Sequence, residues 1–433
     1  MDRDTYLILG YGRSGKESEK YLLSKGNRVI IYDDSLNKQP DIDWTTVKRV
    51  IQSPGISTLH PISLNAQKAG IPICTDINLL QEQNPNARYI GVTGTNGKST
   101  TTALIGHILK QNGFTVEVGG NIGIPALSLK NLNKNEWYVL ELSSYQLELS
   151  NDIHLDVAVW LNITPDHLDR HLTMEEYVAT KAKIFNSAKS ACIAIDDNYS
   201  KEIVKKLAIP NLTVASEFKN YPANLWIDAG GTLHINEALF DLNELTTLKG
   251  THNWQNVAVA FAATLQIVQN NEKIWQSIQT FPGLAHRQQL VAKTLSAEFI
   301  NDSKATNADA TEKALKTFLG KKIFWILGGK DKTDGITSLE PYFPHIQKAY
   351  LIGDACQRFA NDLKGKVNFE RSITLDNAIK HAFEDTKSET DAVILLSPAC
   401  ASFDQFRDFE HRGEEFIRLV KEITHESDHI FAA

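Results

Sequence analysis

The sequence has few of the features that mark secreted, membrane-spanning or nucleic-acid-binding proteins. Its four cysteines, Cys74, Cys192, Cys356 and Cys400, are far apart and form no CxxC pair, which argues against a disulfide framework or a structural zinc site. No run of lysine or arginine is long and the net charge is −7, so a nucleic-acid backbone is a poor partner. No apolar stretch is long enough to span a bilayer, and the N-terminus has no signal-peptide core. We therefore expect a cytoplasmic protein with reduced thiols and without nucleic-acid or membrane partners.

The most informative segment is YIGVTGTNGKSTTT at residues 89–102. It predicts a strand that runs into a phosphate-binding loop and a helix N-terminus, formed by Gly94, Thr95, Asn96, Gly97, Lys98, Ser99 and Thr100. Glycines let backbone N–H groups surround a polyphosphate, the Lys98 amine reaches the outer phosphates, and the Ser99 hydroxyl can ligate Mg²⁺. The common P-loop pattern has glycine where this chain has Val92. A ligand-free glycine-rich turn is the alternative, but Gly-Lys-Ser after a strand favours a protein that uses nucleoside triphosphates.

A second glycine-spaced loop, GYGRSGKES, follows a predicted strand at residues 5–9. The next predicted strand, at 28–32, ends in Asp33 and Asp34, which gives a pattern similar to a dinucleotide fingerprint. It predicts a nucleotide or phosphate over the first turn, and a tight turn without a ligand stays open as the alternative. An NAD-dependent protein is less favoured, because it would leave Lys98 unexplained.

Length and pattern together indicate several α/β domains. A chain of 433 residues exceeds what a single core usually holds. Strands, loops and helices alternate throughout, which is typical of parallel sheets. We predict an α/β protein of three domains: a Rossmann-like N-terminal domain at 1–87, a central P-loop-type mononucleotide-binding domain at 88–284, and a Rossmann-like C-terminal domain at 285–433.

Two polar features follow strands of the central segment. The strand WYVLEL carries Glu141 at its carboxyl end, where α/β sheets bind ligands, so Glu141 could hold Mg²⁺ opposite Ser99. A solvated glutamate at a strand end is the alternative. The next loop, at residues 164–171, has two histidines, one of them His167, and two aspartates, which could ligate a metal or anchor a phosphate. Such a cluster is also often only a polar turn.

Lys181 stands out on the helix predicted at 175–187. It lies in the middle of an apolar stripe that contains Tyr177, Val178, Ile184 and Phe185. If the amine is buried, its pKa falls and it becomes reactive towards CO₂. The resulting carbamate would be an anion that a neighbouring Mg²⁺ could bind. The alternative is that Lys181 extends along the stripe into water.

The last segment has polar groups after three predicted strands. His286 and Arg287 follow a Phe-Pro-Gly-Leu turn, INDSKATN places Asp302, Lys304 and Thr306 in one loop, and Gly328-Gly329 precedes Lys330 and Lys332. SPACASFDQFRDFEHRG then follows the strand AVILL. Each motif alone could be surface chemistry, but on consecutive strand ends they point to one crevice that could hold a nucleotide and a small carboxylate.

These motifs, in this order, resemble the Mur ligase family of bacterial cell-wall synthesis. The resemblance covers nearly the whole chain and includes the unusual glycine spacing of the phosphate loop. The segments that carry it are GVTGTNGKST (91–100), GGNIGIPA (119–126), LELSSYQLE (140–148), NITPDHLDRH (162–171), GTHNWQN (250–256), HRQ (286–288), NDSKATN (301–307), LGGKDK (327–332) and LSPACASFDQF (396–406).

The resemblance implies a three-domain enzyme that binds a UDP-linked substrate, ATP and an amino acid on successive domains. It implies ATP-dependent amide formation between UDP-N-acetylmuramoyl-L-alanine and D-glutamate through an acyl phosphate, with release of ADP and phosphate, in peptidoglycan precursor synthesis. ATP, two Mg²⁺ ions and a CO₂-derived carbamate on Lys181 are the implied cofactors. The implied partners are these small molecules, and the enzyme is expected to be a monomer.

The resemblance also implies roles for single residues. Lys98, His167 and Lys181 would be catalytic, and Ser99, Glu141, His167 and Lys181 would serve the two Mg²⁺ ions. Asn256, Arg287 and Asp302 would contact ATP together with the phosphate loop. The UDP-linked substrate would be bound by Ser14, Asp33, Asp34, Ser53, Asn121 and Ser143. D-Glutamate would be bound by Thr306, Lys332, Ser402 and Phe409. The match is weakest in the N-terminal turn.

Other functions fit less of the sequence. The related folylpolyglutamate synthase lacks a UDP-binding N-terminal domain, so residues 1–87 count against it. A DNPR-type motif, expected of the relatives that add a diamino acid, is absent. A regulatory module without ligase activity would be expected to lack Lys181 or His167, and both are present.

Overall fold

The protein is described by a computed structural model that covers residues 4–36, 39–121, 123–150, 152–216, 223–248, 250–330 and 335–430. The chain forms two compact units, Met1–Phe281 and Pro282–Ala433. Two sheets belong to the first unit and one to the second. The α/β class is as predicted, and the division into three domains stays a prediction.

The first sheet is parallel, with strand order β2-β1-β3-β4. Its elements are β1 (Thr5–Leu9), α1 (Arg13–Ser24), β2 (Arg28–Tyr32), β3 (Val47–Gln52), α2 (Pro61–Lys68), β4 (Ile73–Cys74) and α3 (Asp76–Gln83). Gly10 has φ +90, and a Cβ on it would lie 2.8 Å from the Ser53 Cβ, while a Cβ on Gly15 would lie 2.2 Å from the Gly10 carbonyl oxygen. The glycines therefore allow α1 to approach the ends of β1 and β3 closely.

The second sheet has nine strands in the order β13-β12-β11-β10-β9-β8-β5-β7-β6. Its strands are β5 (Arg88–Thr93), β6 (Val116–Gly120), β7 (Trp137–Glu141), β8 (Leu155–Trp160), β9 (Ala188–Ala194), β10 (Asn211–Ala215), β11 (Leu225–Ile227), β12 (Thr232–Ile235) and β13 (Ala238–Asp241). Its helices are α4 (Lys98–Gln111), α5 (Ser144–Leu149), α6 (Leu168–His171), α7 (Met174–Ala182), α8 (Asn198–Lys206), α9 (Thr251–Val268) and α10 (Asn271–Gln279). The pairs from β6 to β11 are parallel, and β12 and β13 add an antiparallel edge.

Alternate residues of the central strands enter two separate cores, one on each face of this sheet. Val157 and Val159 pack with α4 and α9, whereas Ala158 and Trp160 pack with residues of α5 and α7. This alternation follows from the two-residue period of a strand. Because both faces are covered, ligands have access at the carboxyl ends of the strands.

The third sheet has strand order β14-β15-β19-β16-β17-β18, and only its β14–β15 pair is antiparallel. Its elements are β14 (Gln289–Lys293), β15 (Ala297–Asn301), α11 (Ala308–Thr317), β16 (Lys322–Gly328), β17 (Ile346–Ile352), α12 (Cys356–Leu363), β18 (Phe369–Ile373), α13 (Leu375–Thr386), β19 (Ala392–Leu396) and α14 (Phe409–Ile430). Short 3₁₀ helices occur at Ala126–Ser128, Lys183–Phe185, Leu242–Glu244 and Thr337–His345.

The structure also shows the state of the cysteines and the hydrophobicity of the helices. All four cysteines lie within the described residues and are free thiols, in agreement with the prediction of reduced thiols, and all four are buried. None of the helices in the described ranges combines the length and hydrophobicity that crossing a bilayer requires.

Candidate active site

The phosphate loop lies between β5 and α4, as the sequence predicts. Lys98 and Ser99 are the first residues of α4, so the positive end of the helix dipole is directed at this loop. Gly94 and Gly97 both have positive φ, +148 and +84. The Lys98 ammonium donates to the carbonyl oxygens of Gly94 (3.1 Å) and Thr95 (2.8 Å), and so lies over its own loop. This arrangement of amides, dipole and ammonium suits a polyphosphate.

Two asparagines from other elements brace the phosphate loop. The Asn162 carbonyl accepts from the Thr95 N–H at 2.7 Å, and its side-chain oxygen accepts from the Asn96 N–H at 2.9 Å. Asn256, on α9, accepts from the Thr101 hydroxyl at 3.3 Å. A Cβ on Gly97 would lie 2.0 Å from the Asn256 Oδ1, so a side chain at position 97 would displace Asn256.

Glu141 ends β7 and is 2% exposed, so the solvated-glutamate alternative is wrong. Its Oε1 accepts from the Asn121 amide at 2.8 Å, whereas Oε2 is buried and has no hydrogen-bond partner among the described residues. A buried carboxylate oxygen without a partner is costly unless a cation or a donor completes it. The donor chemistry at this strand end therefore fits a hard cation such as Mg²⁺.

Lys181 is 1% exposed, so the alternative in which it extends into water is wrong. Its ammonium donates to the Gly94 carbonyl at 2.9 Å and to the Thr93 hydroxyl at 3.4 Å, and it lies 5.0 Å from the Tyr177 ring centroid. The amine thus touches the first glycine of the phosphate loop. α7 ends at Ala182 and continues as a short 3₁₀ helix, rather than as the single helix predicted at 175–187.

The surroundings of Lys181 favour its uncharged form. Burial, and then repulsion from the Lys98 ammonium, lower the pKa of the Lys181 amine to about 7, although the Asp166 and Glu141 carboxylates act in the opposite direction. A substantial fraction of this amine is therefore neutral and nucleophilic near pH 7. That is the state in which an amine reacts with CO₂.

His167 lies on an exposed turn directly before α6, with φ +54. Its Nδ1 is 3.0 Å from the Tyr145 hydroxyl, and its Nε2 is 3.5 Å from an oxygen of Asp166. The other histidine of this loop, His171, is buried, and its Nε2 is 3.0 Å from the Ser144 hydroxyl. Burial is the main reason why the pKa of His171 is lowered. Only His167 is therefore accessible to a ligand.

Among the described residues, no three His, Cys, Asp or Glu side chains converge as a preformed metal cage. Mg²⁺ at nucleoside triphosphate sites is typically held by one or two protein oxygens, with substrate phosphates and water completing the shell. The single orphaned oxygen of Glu141 and the Ser99 hydroxyl match that kind of site.

The residues predicted for the UDP-linked substrate lie in two places within the first unit. Around the first sheet, Asp33 Oδ2 accepts from the Tyr11 N–H at 2.5 Å, the Ser53 hydroxyl donates to the Gly10 carbonyl at 2.8 Å, and Ser14 Oγ is 3.5 Å from Ser53 Oγ. Hydrogen bonds lower the pKa of the Asp33 carboxyl, and the bond from the Ser35 hydroxyl has the largest effect.

Asp34, Asn121 and Ser143 are the other residues predicted to bind the UDP-linked substrate. Asp34 is exposed, with an oxygen 3.3 Å from His60 Nε2. Asn121 is exposed beyond β6 and reaches Glu141, and Ser143 caps α5 by accepting from the Gln146 N–H at 3.2 Å. The structure thus brings Ser14 to Ser53 and Asn121 to Glu141, whereas Asp33 binds the backbone of the same glycine loop at Tyr11.

In the second unit, Asp302 is buried at the end of β15. Its carboxylate accepts from the Ser397 hydroxyl at 2.8 Å and from the Gln288 N–H at 3.2 Å. Burial raises its pKa to about 7, and the nearby Arg287 charge opposes that rise. The turn that carries Arg287 is anchored by His286, which is buried with its Nδ1 3.0 Å from the Asn301 amide. Arg287 itself is exposed.

The residues predicted for D-glutamate follow strands of the third sheet. Thr306 lies after β15 and is half-buried, Ser402 lies after β19 and is buried, and Phe409 begins α14. The Ser303 hydroxyl donates to the Phe409 carbonyl at 2.8 Å and thereby links two of these segments. Lys332 lies outside the described residues.

Several side chains at these sites were not singled out from the sequence. Asn162, Glu148 and Arg170 lie inside quoted motifs, NITPDHLDRH and LELSSYQLE, but polar residues of these types are common in loops. Arg412 is fully buried and donates to the Ser303 and Cys400 carbonyls. The only signal in the sequence was its place after the SPACASFDQF segment.

Comparison with known proteins identifies the family of this chain. The Mur ligase middle domain family matches residues 92–264, and the family described as Mur ligase, glutamate ligase domain matches residues 286–400. A protein of Rhodospirillum rubrum named UDP-N-acetylmuramoylalanine–D-glutamate ligase is 43% identical over 454 aligned positions, covering 96% of this chain and 94% of its own. A Phenylobacterium zucineum protein of the same name is 40% identical, with 97% and 96% coverage.

Solved structures of lower identity share the fold. MurF from Acinetobacter baumannii has a TM-score of 0.63 at 16% identity, covering 96% of this chain and 91% of its own. UDP-N-acetylmuramate-alanine ligase MurC from Thermotoga maritima has a TM-score of 0.62 at 16% identity, covering 97% of this chain and 100% of its own. With an identity above 40% over nearly its full length and two matching domain families, this chain belongs to the Mur ligase family.

Proposed function

We propose that the protein is the ligase that uses ATP to join D-glutamate to UDP-N-acetylmuramoyl-L-alanine. The observation that carries the proposal is the meeting of three groups at the carboxyl ends of β5 and β7. These are the Lys98 loop, the buried amine of Lys181 on Gly94, and the Glu141 oxygen that has no hydrogen-bond partner in the described part of the chain. Relatives that carry this activity in their names align over almost the whole chain.

The chemistry requires that a carboxylate be made electrophilic. A carboxylate is a poor acceptor for an amine, so the terminal phosphoryl group of ATP is first transferred to it, and the acyl phosphate then has a good leaving group. The Lys98 ammonium and the N-terminus of α4 are placed to stabilise charge on the phosphoryl oxygens. The amine of D-glutamate then attacks the acyl carbon, which forms the amide and releases phosphate.

Ser99, Glu141, His167 and a carbamylated Lys181 would hold two Mg²⁺ ions in this proposal. Bound Mg²⁺ would supply positive charge that neutralises the phosphate oxygens during transfer. The Glu141 Oε2 supports a cation at the first position. At the second, the Lys181 ammonium would first lose one proton, and the neutral amine would then bond to the carbon of CO₂ with loss of a second proton. A buried cation would thereby be replaced by an anion. The burial of the Lys181 amine and its contact with the Gly94 carbonyl support this proposal, because a carbamate formed there would lie beside the phosphate loop.

The substrate side chains divide between the two units. Ser14, Asp33 and Ser53 surround the first loop of the first sheet. A cavity of about 360 Å³ beside it is lined by Tyr11, Arg13, Lys16, Glu17, Glu19, Lys20, Pro125 and Ser128. Its three cations could bind a diphosphate, and its two carboxylates partly offset their charge. In the second unit, Arg287 and Asp302 would contact the nucleotide, and Thr306, Lys332, Ser402 and Phe409 would contact D-glutamate.

The same proposal includes the organisation of the protein. Residues 1–87 would bind the UDP-linked substrate, 88–284 would bind ATP and Mg²⁺, and 285–433 would bring the amino acid. A monomer is sufficient, because each proposed ligand is assigned to residues of a single chain. A cytoplasmic location follows from the use of ATP.

An amino-acid panel tests the proposal directly. The purified protein is mixed with ATP, Mg²⁺, UDP-N-acetylmuramoyl-L-alanine and one of D-glutamate, L-glutamate, L-alanine or a diamino acid. Phosphate release and product mass are then measured. D-Glutamate is expected to give the highest kcat/KM, and a better result with L-alanine or a diamino acid would disprove the substrate assignment.

A matched pair of lysine variants tests the phosphate loop. Lys98→Ala is expected to lower phosphate release by at least about a hundredfold, because the transferring phosphoryl group loses one of the cations that stabilise its charge. Lys110→Ala removes an exposed lysine at the far end of the same helix and is expected to keep wild-type activity. Equal activity of the two variants would contradict the role of Lys98.

A further inference from the structure

Arg170 and Glu148 join three segments that carry proposed site residues. Arg170 lies on α6, three residues after His167, and Glu148 lies on α5, which begins directly after Ser143. The third segment, residues 53–58, follows β3 and begins with Ser53; we call it the substrate loop. Neither Arg170 nor Glu148 has a role in the mechanism proposed above.

The contacts between these segments are short and specific. Arg170 donates to Glu148 Oε2 through Nε (3.1 Å) and through a terminal nitrogen (2.8 Å), and that terminal nitrogen also donates to the Ile56 carbonyl at 3.0 Å. The other carboxylate oxygen, Oε1, accepts from the Thr58 hydroxyl at 3.0 Å. Both members of the pair therefore hold the substrate loop, one through a carbonyl and one through a hydroxyl.

The substrate loop is itself tied to the first sheet. The Gln52 amide donates to the Ile56 carbonyl at 2.9 Å, and the Ser53 hydroxyl donates to the Gly10 carbonyl at 2.8 Å. The Ile56 carbonyl thus receives donors from both Gln52 and Arg170. A shift of Arg170 would change the position of the loop that carries Ser53.

On its other side, Arg170 reaches His167 through Tyr145. The guanidinium carbon lies 5.1 Å from the centroid of the Tyr145 ring, and the Tyr145 hydroxyl lies 3.0 Å from His167 Nδ1. A guanidinium over an aromatic ring is an attractive contact. A hydrogen bond to one ring nitrogen of a histidine fixes the orientation of the ring and the tautomer available at the other.

The burial of the pair argues that it is more than an ordinary surface ion pair. The Arg170 and Glu148 side chains are 12% and 21% exposed, so solvent screens their interaction less than it screens exposed pairs. Two donors of one guanidinium on one carboxylate also define an orientation that a lysine could not reproduce.

We propose that Arg170, held by Glu148, is a positioning residue that sets the substrate loop and His167 in a fixed relation to each other. The inference rests on the proposed function, because it gives meaning to Ser53 and His167 as substrate-binding and catalytic groups. Arg170 acts through Tyr145 and the Ile56 carbonyl and has no contact with the reacting atoms in this scheme.

Arg170 has two sets of contacts, one arm to the substrate loop and one arm through Tyr145 to His167, and three variants separate their effects. Arg170→Met removes both arms, so KM for UDP-N-acetylmuramoyl-L-alanine is expected to rise and kcat to fall, each by about tenfold. Tyr145→Phe keeps the ring but loses the hydroxyl, so kcat is expected to fall several-fold while that KM stays within about twofold. Thr58→Val removes only the hydroxyl on the loop, so that KM is expected to rise with kcat nearly unchanged.

Two controls distinguish positioning from general stability. The KM for ATP is expected to stay within about twofold in all three variants. Arg88→Met breaks a part-buried ion pair with Asp156 (2.7 Å) at the amino end of β5 in the second sheet. It is expected to leave kcat and both KM values unchanged, also when it lowers the melting temperature as much as Arg170→Met does. Glu148→Gln combined with Arg170→Met is expected to be no worse than Arg170→Met alone, because the arginine partner is already lost and the glutamine keeps an oxygen that can accept from the Thr58 hydroxyl.

Calorimetric titration of UDP-N-acetylmuramoyl-L-alanine into the protein without ATP makes the inference independent of turnover. Weaker binding in Arg170→Met and Thr58→Val, but not in Tyr145→Phe or Arg88→Met, would support it. Equal affinity in all of these proteins, or a parallel rise in the KM for ATP, would overturn it. A wild-type protein that binds this substrate but does not couple D-glutamate would contradict the proposed function alone.

Discussion

The substitution Asp76→Asn is expected to change how the stability of the first unit depends on pH. Asp76 is the first residue of α3 and is 5% exposed. Burial raises the pKa of its carboxyl from 3.8 to about 6, although backbone N–H groups, including those of Ile77 and Ala126, oppose that rise. One carboxylate oxygen, Oδ1, is buried and has no hydrogen-bond partner among the described residues. The charged form of Asp76 is therefore less favourable in the folded protein than in the unfolded chain.

The sign of the effect follows from proton linkage. Because the folded protein binds this proton more tightly than the unfolded chain does, folding has no penalty from Asp76 below pH 3.8. The penalty grows as the pH rises through 6 and is constant above it. With about 1.4 kcal/mol per pKa unit, the full penalty is about 3 kcal/mol, and about 1.4 kcal/mol of it develops between pH 5 and pH 8. Asparagine has no such charge.

Urea unfolding of the wild type and of Asp76→Asn at pH 5.0, 6.5 and 8.0 measures this difference. The free energy of unfolding of the variant, minus that of the wild type, is expected to increase by about 1.4 kcal/mol from pH 5 to pH 8. The increase does not depend on how well the asparagine amide is accommodated, since that contribution is the same at each pH. Asp43→Asn is the control, because Asp43 is exposed and its pKa is lowered by hydrogen bonds from Thr45. A constant or decreasing difference for Asp76→Asn would refute the reasoning.

Three further predictions concern the phosphate loop and its neighbours. Gly97→Ala should destabilise the fold by about 1–2 kcal/mol through its positive φ and raise the KM for ATP. When Asn256→Ala is added, the stability loss of the double variant should be smaller than the sum of the two single losses; thermal melts and initial rates can check both expectations. Lys181→Ala should abolish turnover, with partial rescue by bicarbonate or a short carboxylate such as acetate; full activity without any rescue agent would exclude the carbamate. Glu141→Gln should raise the Mg²⁺ concentration needed for half-maximal ADP release by at least about tenfold, and an unchanged Mg²⁺ dependence would disprove its role.

The strand ends were predictable because local sequence determines them. The run before Gly94 is apolar and the residues after it are small and polar, so a strand, a loop and a helix follow in order. The predicted strands at 5–9 and 28–32 coincide with β1 and β2. The four strands from β10 to β13, at one side of the second sheet, were not predicted, since short strands of three to five residues lack a strong apolar pattern.

Site residues were predictable where a motif includes their neighbours. Lys98 and Ser99 needed no tertiary information, because a glycine loop before a helix start defines their role. Arg170 and Glu148 could not be found in the same way. They are 22 positions apart in the chain, and an arginine and a glutamate at that spacing have no pattern that predicts contact.

The sequence by itself determined the order of the α/β elements, the phosphate loop and the family. These depend on local apolar periodicity, glycine spacing and residue identity, which are written along the chain. Three facts come from the tertiary fold alone: Lys181 is buried against Gly94, one oxygen of Glu141 has no partner among the described residues, and Asp302 is buried beside Ser397. Burial and pairing arise from segments that are far apart in the chain and meet only in the folded protein, and they set the charge state of each group.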